Sequence, residues 1–166
     1  MGDSRIAIWD RWRTRFQLRR CTAIGTGVVV RGRVWIHGEG RVVVGDGVVL
    51  DGRAAPIELF SWTAAEIVIG CGSRIGGGTS IEATTSVRIG ARNTIGGFCR
   101  IMDSHFHALL GDRHVRPAPR PVTIGDDVTI GPRSIVMAGA AIEPGSTFGA
   151  TSVIRQATKA SNGTAG

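Results

Sequence analysis

The chain has no tyrosine, and its single lysine is Lys159 among 20 basic residues. Aromatic residues are 5% of the 166, too few for the stacked rings with which proteins hold single-stranded nucleic acid. No recognised nucleic-acid module is present either, so a nucleic-acid partner is not expected despite the net charge of +7. Cysteine is limited to Cys21, Cys71 and Cys99, an odd number with no paired spacing. That excludes a disulfide framework and a cysteine zinc motif, and it favours a reducing compartment. No run of 18 apolar residues and no signal-peptide pattern appears, so the expectation is a cytoplasmic protein.

What is abundant is glycine, 25 residues, about twice the usual share. Disorder is excluded by 42% hydrophobic residues. Glycine therefore reads as the turn residue of many short repeats, where a left-handed backbone costs it little. The arginine excess has two readings. One is the base composition of the genome; the other is a surface suited to an anionic ligand through bidentate contacts and steering.

The repeat is plain from Ile124 onward. Ile124, Ile130, Val136, Ile142, Phe148 and Ile154 are each six residues apart, and glycine follows at Gly125, Gly131 and Gly149. Four residues after five of them comes a small or short side chain: Val128, Ser134, Ala140, Ser146 and Ser152. A period of six fits neither a helix at 3.6 nor a simple strand at 2. It fits a solenoid whose unit is one short strand plus one turn, three units making an 18-residue coil of a triangular prism. Successive coils then stack parallel strands about 4.8 Å apart, with one aliphatic column inside. Cys99 falls at a small inward position, so packing accounts for it.

The same phase runs weakly from Ile24 through Val30, Ile36 and Val42, then slips by two to Val44. Residues 53–66, with Pro56, Phe60 and Trp62, are out of phase and read as an irregular coil with a bulge. The pattern resumes at Ile69, Ile75 and Ile81, where Glu82 stands in place of glycine. A two-residue insertion then precedes Ile89, Ile95 and Ile101. The 23 residues from Ile101 to Ile124 read as one coil plus five, with segment 103–122 an ejected loop. That loop holds three of the four histidines and ends in Pro117, Pro119 and Pro121. Interruptions of a regular solenoid are where function is placed.

Residues 1–20 differ in kind. Ile6, Trp9, Trp12 and Phe16 fall at helical spacing among Arg5, Arg11, Arg13, Arg15, Arg19 and Arg20. Two readings stand: a short helix that caps the open end of the solenoid, and a basic amphipathic helix that makes peripheral contact with an anionic membrane. The organisation expected is therefore a capping segment over 1–20, the solenoid over 21–158 and a flexible tail over 159–166.

The Ile-Gly units with a small residue four on resemble the hexapeptide-repeat acyltransferases, over roughly residues 24–158. Three stretches bring the resemblance nearest the maltose/galactoside and polysaccharide (colanic-acid type) O-acetyltransferases: Ile101-Met102-Asp103-Ser104-His105-Phe106-His107, Pro121 to Gly131, and Gly145 to Ile154. The resemblance implies an all-β, left-handed parallel β-helix, a homotrimer, and acetyl-CoA as co-substrate with no metal. It implies acetyl transfer to a hydroxyl of a sugar, glycan or related small molecule. Two positions depart from the family pattern: Ala108 follows His107 where proline is usual, and Thr129 stands where tryptophan is frequent.

Transfer from a thioester to a hydroxyl needs a base of near-neutral pKa, which suits histidine. The resemblance assigns that base to His107, with His105 the rival. In an extended segment Asp103, His105 and His107 face one way, so Asp103 is expected to orient an imidazole. The resemblance further implies an acceptor contact at Glu82, with a solvated turn residue the plain alternative. Arg113, on the loop beside His114, Arg116 and Arg120, suits coenzyme phosphates or an acidic sugar, and equally a solvated loop. Coenzyme A is expected along Gly139, Ala140, Gly149, Ala150 and Thr151, with Arg155 and Lys159 near its phosphates. Two rival functions share the fold. One is a γ-class carbonic anhydrase using His105, His107 and His114 on zinc, though their spacing differs from that family's. The other is a non-catalytic β-helix scaffold.

Overall fold

The structure, a computed structural model, describes Trp12, residues 14–104 and residues 117–155. The six-residue period builds a parallel β-helix with three faces and very little helix. Face 1 stacks β1 (Ala23–Ile24), β3 (Arg41–Val44), β5 (Glu66–Ile69), β8 (Ser86–Ile89), β11 (Val122–Ile124) and β14 (Ala141–Ile142) as one sheet. The second sheet wraps faces 2 and 3, because β2 (Val29–His37) and β4 (Val49–Ser61) run across both. Face 2 continues with β6 (Arg74–Gly76), β9 (Thr94–Ile95), β12 (Thr129–Ile130) and β15 (Thr147–Phe148). Face 3 continues with β7 (Ser80–Ala83), β10 (Arg100–Met102), β13 (Ile135–Val136) and β16 (Val153–Ile154).

Every ladder is parallel, and apart from one shift between β2 and β4 each inward residue sits on its counterpart one coil away. Ile69, Ile89, Ile124 and Ile142 form one such column, none more than 4% exposed. The small inward positions are filled as the repeat requires: Val128, Ser134, Ala140 and Ser146 are buried, and so is Cys99. Several of these inward side chains are polar and bond the corner carbonyls of the neighbouring coil. Ser73 Oγ donates to Gly90 O at 2.9 Å, and Thr79 Oγ1 donates to Gly96 O at 2.9 Å. Asn93 donates to Gly125 O and accepts from Val128 N. Each such bond contributes about 0.5–1.5 kcal/mol net and closes a backbone group that would otherwise be buried unpaired.

The glycines after the inward residues have a different cause from the one the composition suggested. A Cβ on Gly131 would strike Ala150 N, and one on Gly125 would lie 2.6 Å from Pro144 N, both in the next coil. Close stacking of coils, not backbone handedness, fixes glycine there. The left-handed residue lies two positions on, and there the chain tolerates Arg92, Phe98, Asp127, Arg133 and Thr151. Where that corner position is itself glycine, as at Gly72 and Gly145, conformational freedom is the reason.

Coil length corrects a second expectation. Ile124 pairs with Ile142, eighteen residues on, but Ile75 pairs with Ile95, twenty on, and Leu50 with Ile75, twenty-five on. The extra residues collect mainly at one corner, between faces 3 and 1. The step from face 1 to face 2 is always six, from Ile24 to Val30 through Ile142 to Phe148. From face 3 to face 1 it is eight at Ile36 to Val44, ten at Leu59 to Ile69, eight at Ile81 to Ile89 and six at Val136 to Ile142. Ile101 to Ile124 is the same step, so no coil is hidden in that gap, and its whole excess over six lies at this corner. The expected bulge is present too, as a register shift between Gly32 and Val34, where β4 carries residues 53–56 opposite Arg33.

At the N-terminal end the exposed upper edge of β2 is covered by a helical turn over residues 14–17. Gln17 accepts from Val34 N at 2.8 Å and donates to Gly32 O at 3.1 Å, while Leu18 is fully buried. These are the contacts of a cap. The residues that make them are not those of the expected stripe: Trp12 and Phe16 are 72% and 66% exposed, and Ile6 and Trp9 lie outside the described residues. No described helix is long and apolar enough to cross a membrane.

Candidate active site

The corner between faces 3 and 1 holds the loop and its supports. The chain leaves face 3 at Met102 and re-enters face 1 at Val122. Arg120 N donates to Asp103 O at 2.7 Å, and Gly139 N donates to Arg120 O at 2.9 Å. Arg120 thus occupies the rung between Asp103 and Gly139, and the two ends of the loop are tied together at its root. The guanidinium of Arg120 lies over Gly139, where a Cβ would sit 3.1 Å from Nε, and Nη2 donates to Ala138 O.

Asp103 is fully buried, and its carboxyl group faces the corner of the preceding coil. Oδ1 accepts from Thr84 N at 2.7 Å, and Oδ2 accepts from Thr85 N at 2.6 Å and Ser86 N at 2.7 Å. Beside it, Thr84 Oγ1 donates to Ser104 Oγ at 3.0 Å. The two-residue insertion before Ile89 is therefore folded around Asp103. A carboxylate offers about four acceptor positions, and backbone N–H groups take three here.

The expected alignment of Asp103 with His105 and His107 falls on residues outside those described. β10 ends at Met102, the chain bends at Asp103, and Asp103 and Ser104 are both buried in succession. The alternation has stopped before the histidines begin. His105, His107 and Arg113 lie outside the described residues, as do His114 and Lys159.

Glu82 is on β7, facing outward, and is not a turn residue. It pairs in register with Phe60 on one side and Met102 on the other, and it accepts from Trp62 Nε1 at 3.2 Å. Glu82 thus stands one coil before the loop root, among aromatic and thioether side chains.

The expected coenzyme residues divide between two corners. Gly139 is at the loop corner, with φ +79°, and Ala140 is buried in the core. Gly149, Ala150 and Thr151 form the corner between faces 2 and 3 in the last coil, and Arg155 follows β16. Between the two corners face 3 presents the exposed, paired side chains of Ile135 and Val153. The structure brings Gly139 to the loop root and leaves residues 149–151 on the far edge of that face. Burial pushes the Cys21 thiol up to about 12 and also raises that of Cys99. Among the described residues no cluster of His, Cys, Asp and Glu could hold a metal ion.

Residues 121–156 match the family model described as bacterial transferase hexapeptide, six repeats. Residues 121–156 thus carry hexapeptide repeats, on a parallel β-helix that begins at Ala23. Among solved structures this β-helix is similar to AntD, an N-acyltransferase from Bacillus cereus crystallised with dTDP and 3-hydroxybutyryl-CoA. The two share 18% identity and a TM-score of 0.68, over 87% of this chain and 78% of that one. A point mutant of AntD, crystallised with dTDP and coenzyme A, gives a TM-score of 0.69 at 18% identity, over 88% and 80% of the chains. At these identities the likeness establishes the fold. The polySia-specific acetyltransferase NeuO is matched at 17% identity over 83% and 81% of the chains, with a TM-score of 0.47. No protein of curated function matches the chain in sequence.

Sequence reasoning missed the backbone turn over residues 84–86 and the tryptophan on Glu82. The signal for the first was present: a two-residue insertion in one coil, and an Asp two residues after the inward Ile101 of the next. Nothing in the spacing alone put Trp62 on Glu82, because that depends on how many residues each corner absorbs.

Proposed function

We propose that the chain is a coenzyme A-dependent acyltransferase that moves an acetyl group onto a sugar or glycan hydroxyl at the corner between faces 3 and 1. The observation that carries this reading is the loop root. The corner that varies most in length bears the longest insertion, its ends are tied through Asp103 and Arg120, and the inserted segment contains His105 and His107. The hexapeptide family match and the likeness to an acyl-CoA-bound N-acyltransferase support the donor class.

In the reaction the acceptor oxygen attacks the thioester carbonyl as His107 takes the hydroxyl proton. The C–O bond forms, the C–S bond breaks, and the proton passes from the imidazolium to the leaving thiolate, giving coenzyme A. A base so placed contributes on the order of 10²–10⁴ in rate. Asp103 is assigned a positioning role: it fixes the loop root to the turn over residues 84–86. Gly139 beside Arg120 is assigned to the thioester end of the donor. Gly149, Ala150, Thr151, Arg155 and Lys159 are assigned to its distal part, which requires the coenzyme to cross the end of face 3. Arg113 and Glu82 are assigned to the acceptor, and the working form is a homotrimer.

The test is thiol release from acetyl-CoA and from 3-hydroxybutyryl-CoA, with sugars, glycans and sugar nucleotides as acceptors, together with sedimentation. Acceptor-dependent release supports the reading, and a preference for an amino sugar would move it from O- to N-transfer. Absence of release with every acceptor contradicts it and favours the scaffold.

A further inference from the structure

Among the described residues the aromatic side chains are not in the buried core. The core is built from Ile, Val and Leu, with Phe148 packed at its edge. Trp35, Phe60 and Trp62 instead stand on the outside of face 3 or at its margin, together with His37. The outer sides of faces 1 and 2 carry no aromatic residue in their described strands; their outward columns are Val43, Val68 and Arg88, and Arg74, Thr94 and Thr129.

On face 3 the register aligns His37, Phe60, Glu82 and Met102 as one outward column in four successive coils. The rings of His37 and Phe60 stack with centroids 6.2 Å apart at 28°, and Phe60 and Trp62 meet at 5.1 Å and 57°. Trp62 is 43% exposed although its Nε1 donates to Glu82 at 3.2 Å. That bond fixes the indole against the column while its face stays open. Glu82 keeps acceptor positions beyond the one that Trp62 uses. The column ends at Met102, directly before segment 103–122.

We propose that this column is an acceptor platform, on which a glycan of two or more sugar rings lies along the axis of the β-helix. The apolar C–H faces of the rings pack on Phe60 and Trp62, and Glu82 accepts from their hydroxyls. This rests on the acyl-transfer reading for its chemistry, though not for its binding. The length fits an oligosaccharide: four rungs about 4.8 Å apart span roughly 14 Å, more than one ring. The composition argues against a second copy of the chain as the occupant. The core of a protein interface is depleted of charge, whereas this column includes Glu82 and the adjacent one aligns Glu58, Ser80 and Arg100.

The experiment reads binding without any acyl donor, so its outcome is independent of thiol release. An array of single sugars, oligosaccharides and sugar nucleotides is probed with the wild type. The best-retained oligosaccharide is then titrated calorimetrically against variants whose thermal melts match the wild type. Trp62→Ala and Glu82→Gln are each expected to weaken binding roughly tenfold or more, from lost ring packing and a lost charged hydrogen bond. Trp62→Phe keeps a ring and is expected to retain most of the affinity. Phe98→Ala, at an equally exposed aromatic on a different corner, is expected to change nothing. Retention of no oligosaccharide by the wild type overturns the proposal, as does equal binding by Trp62→Ala. A change of oligomeric state in Trp62→Ala, seen by sedimentation, also overturns it by assigning the face to a second copy.

Discussion

The corner between faces 1 and 2 and the corner between faces 3 and 1 belong to the same coils but obey different rules. The first keeps a six-residue step in every coil, while the second takes six, eight, ten or twenty-three. At the first corner the chain passes over a wall of stacked backbone. The Gly125 position touches Pro144 of the next coil, and Asn93 bonds both Gly125 O and Val128 N. An added residue there would break ladders on both sides. At the other corner the turn is held by a side chain, Asp103, reaching back to Thr84, Thr85 and Ser86. A corner held by side chains adapts to its own length, and long insertions in surface loops cost little closure entropy. The fold thus leaves one edge on which a loop can grow without disturbing the core.

Removing the support should separate the two corners most clearly. Asp103→Ala removes the acceptor from three part-buried N–H groups and opens a cavity at a fully buried side chain, so a loss on the order of 2–3 kcal/mol is expected in chemical denaturation. Hydrogen exchange should quicken at residues 84–86 and not at residues 91–93. Uniform exchange across both corners would contradict the distinction.

Next in size is the stacking test. Gly131→Ala puts a Cβ against Ala150 N, and overpacking of this kind costs about 1–3 kcal/mol. Gly149→Ala, in the last described coil, meets nothing within 4 Å and is expected to stay within about 0.5 kcal/mol of the wild type. Equal melting of the two variants would show that glycine is set by backbone freedom after all.

The remaining prediction concerns the cap end. Burial raises the Cys21 thiol from 9.0 to about 12. A raised folded-state value gives stability that is full below the unfolded value and is lost as pH rises through the folded one. Stability should therefore decline between pH 9.0 and about 12, and Cys21→Ala should remove that part of the slope. An unchanged alkaline slope in Cys21→Ala would place the thiol in solvent.

Much of the architecture was legible from period alone. Ile124, Ile130, Val136, Ile142 and Ile154 all point inward and are buried, and the small residue four on fills the corner beneath. The cause of each glycine was not legible, because the clash is with backbone eighteen or more residues away in sequence. Nor was the coil length: a six-residue count finds faces, but it does not tell which corner absorbs an insertion. The site was legible in part. The loop and Asp103 stood out, yet the partners of Asp103 lie seventeen to nineteen residues earlier, across a coil boundary. Trp62 was visible only as an aromatic out of phase, since its meeting with Glu82 depends on the register between β4 and β7.

The central claim is that the loop at the variable corner carries the base. The most direct measurement is kcat/KM for acceptor-dependent thiol release by His107→Ala, with coenzyme A binding measured calorimetrically on the same protein. The account predicts a fall of at least about a hundredfold with coenzyme binding preserved. Full activity in His107→Ala would contradict it.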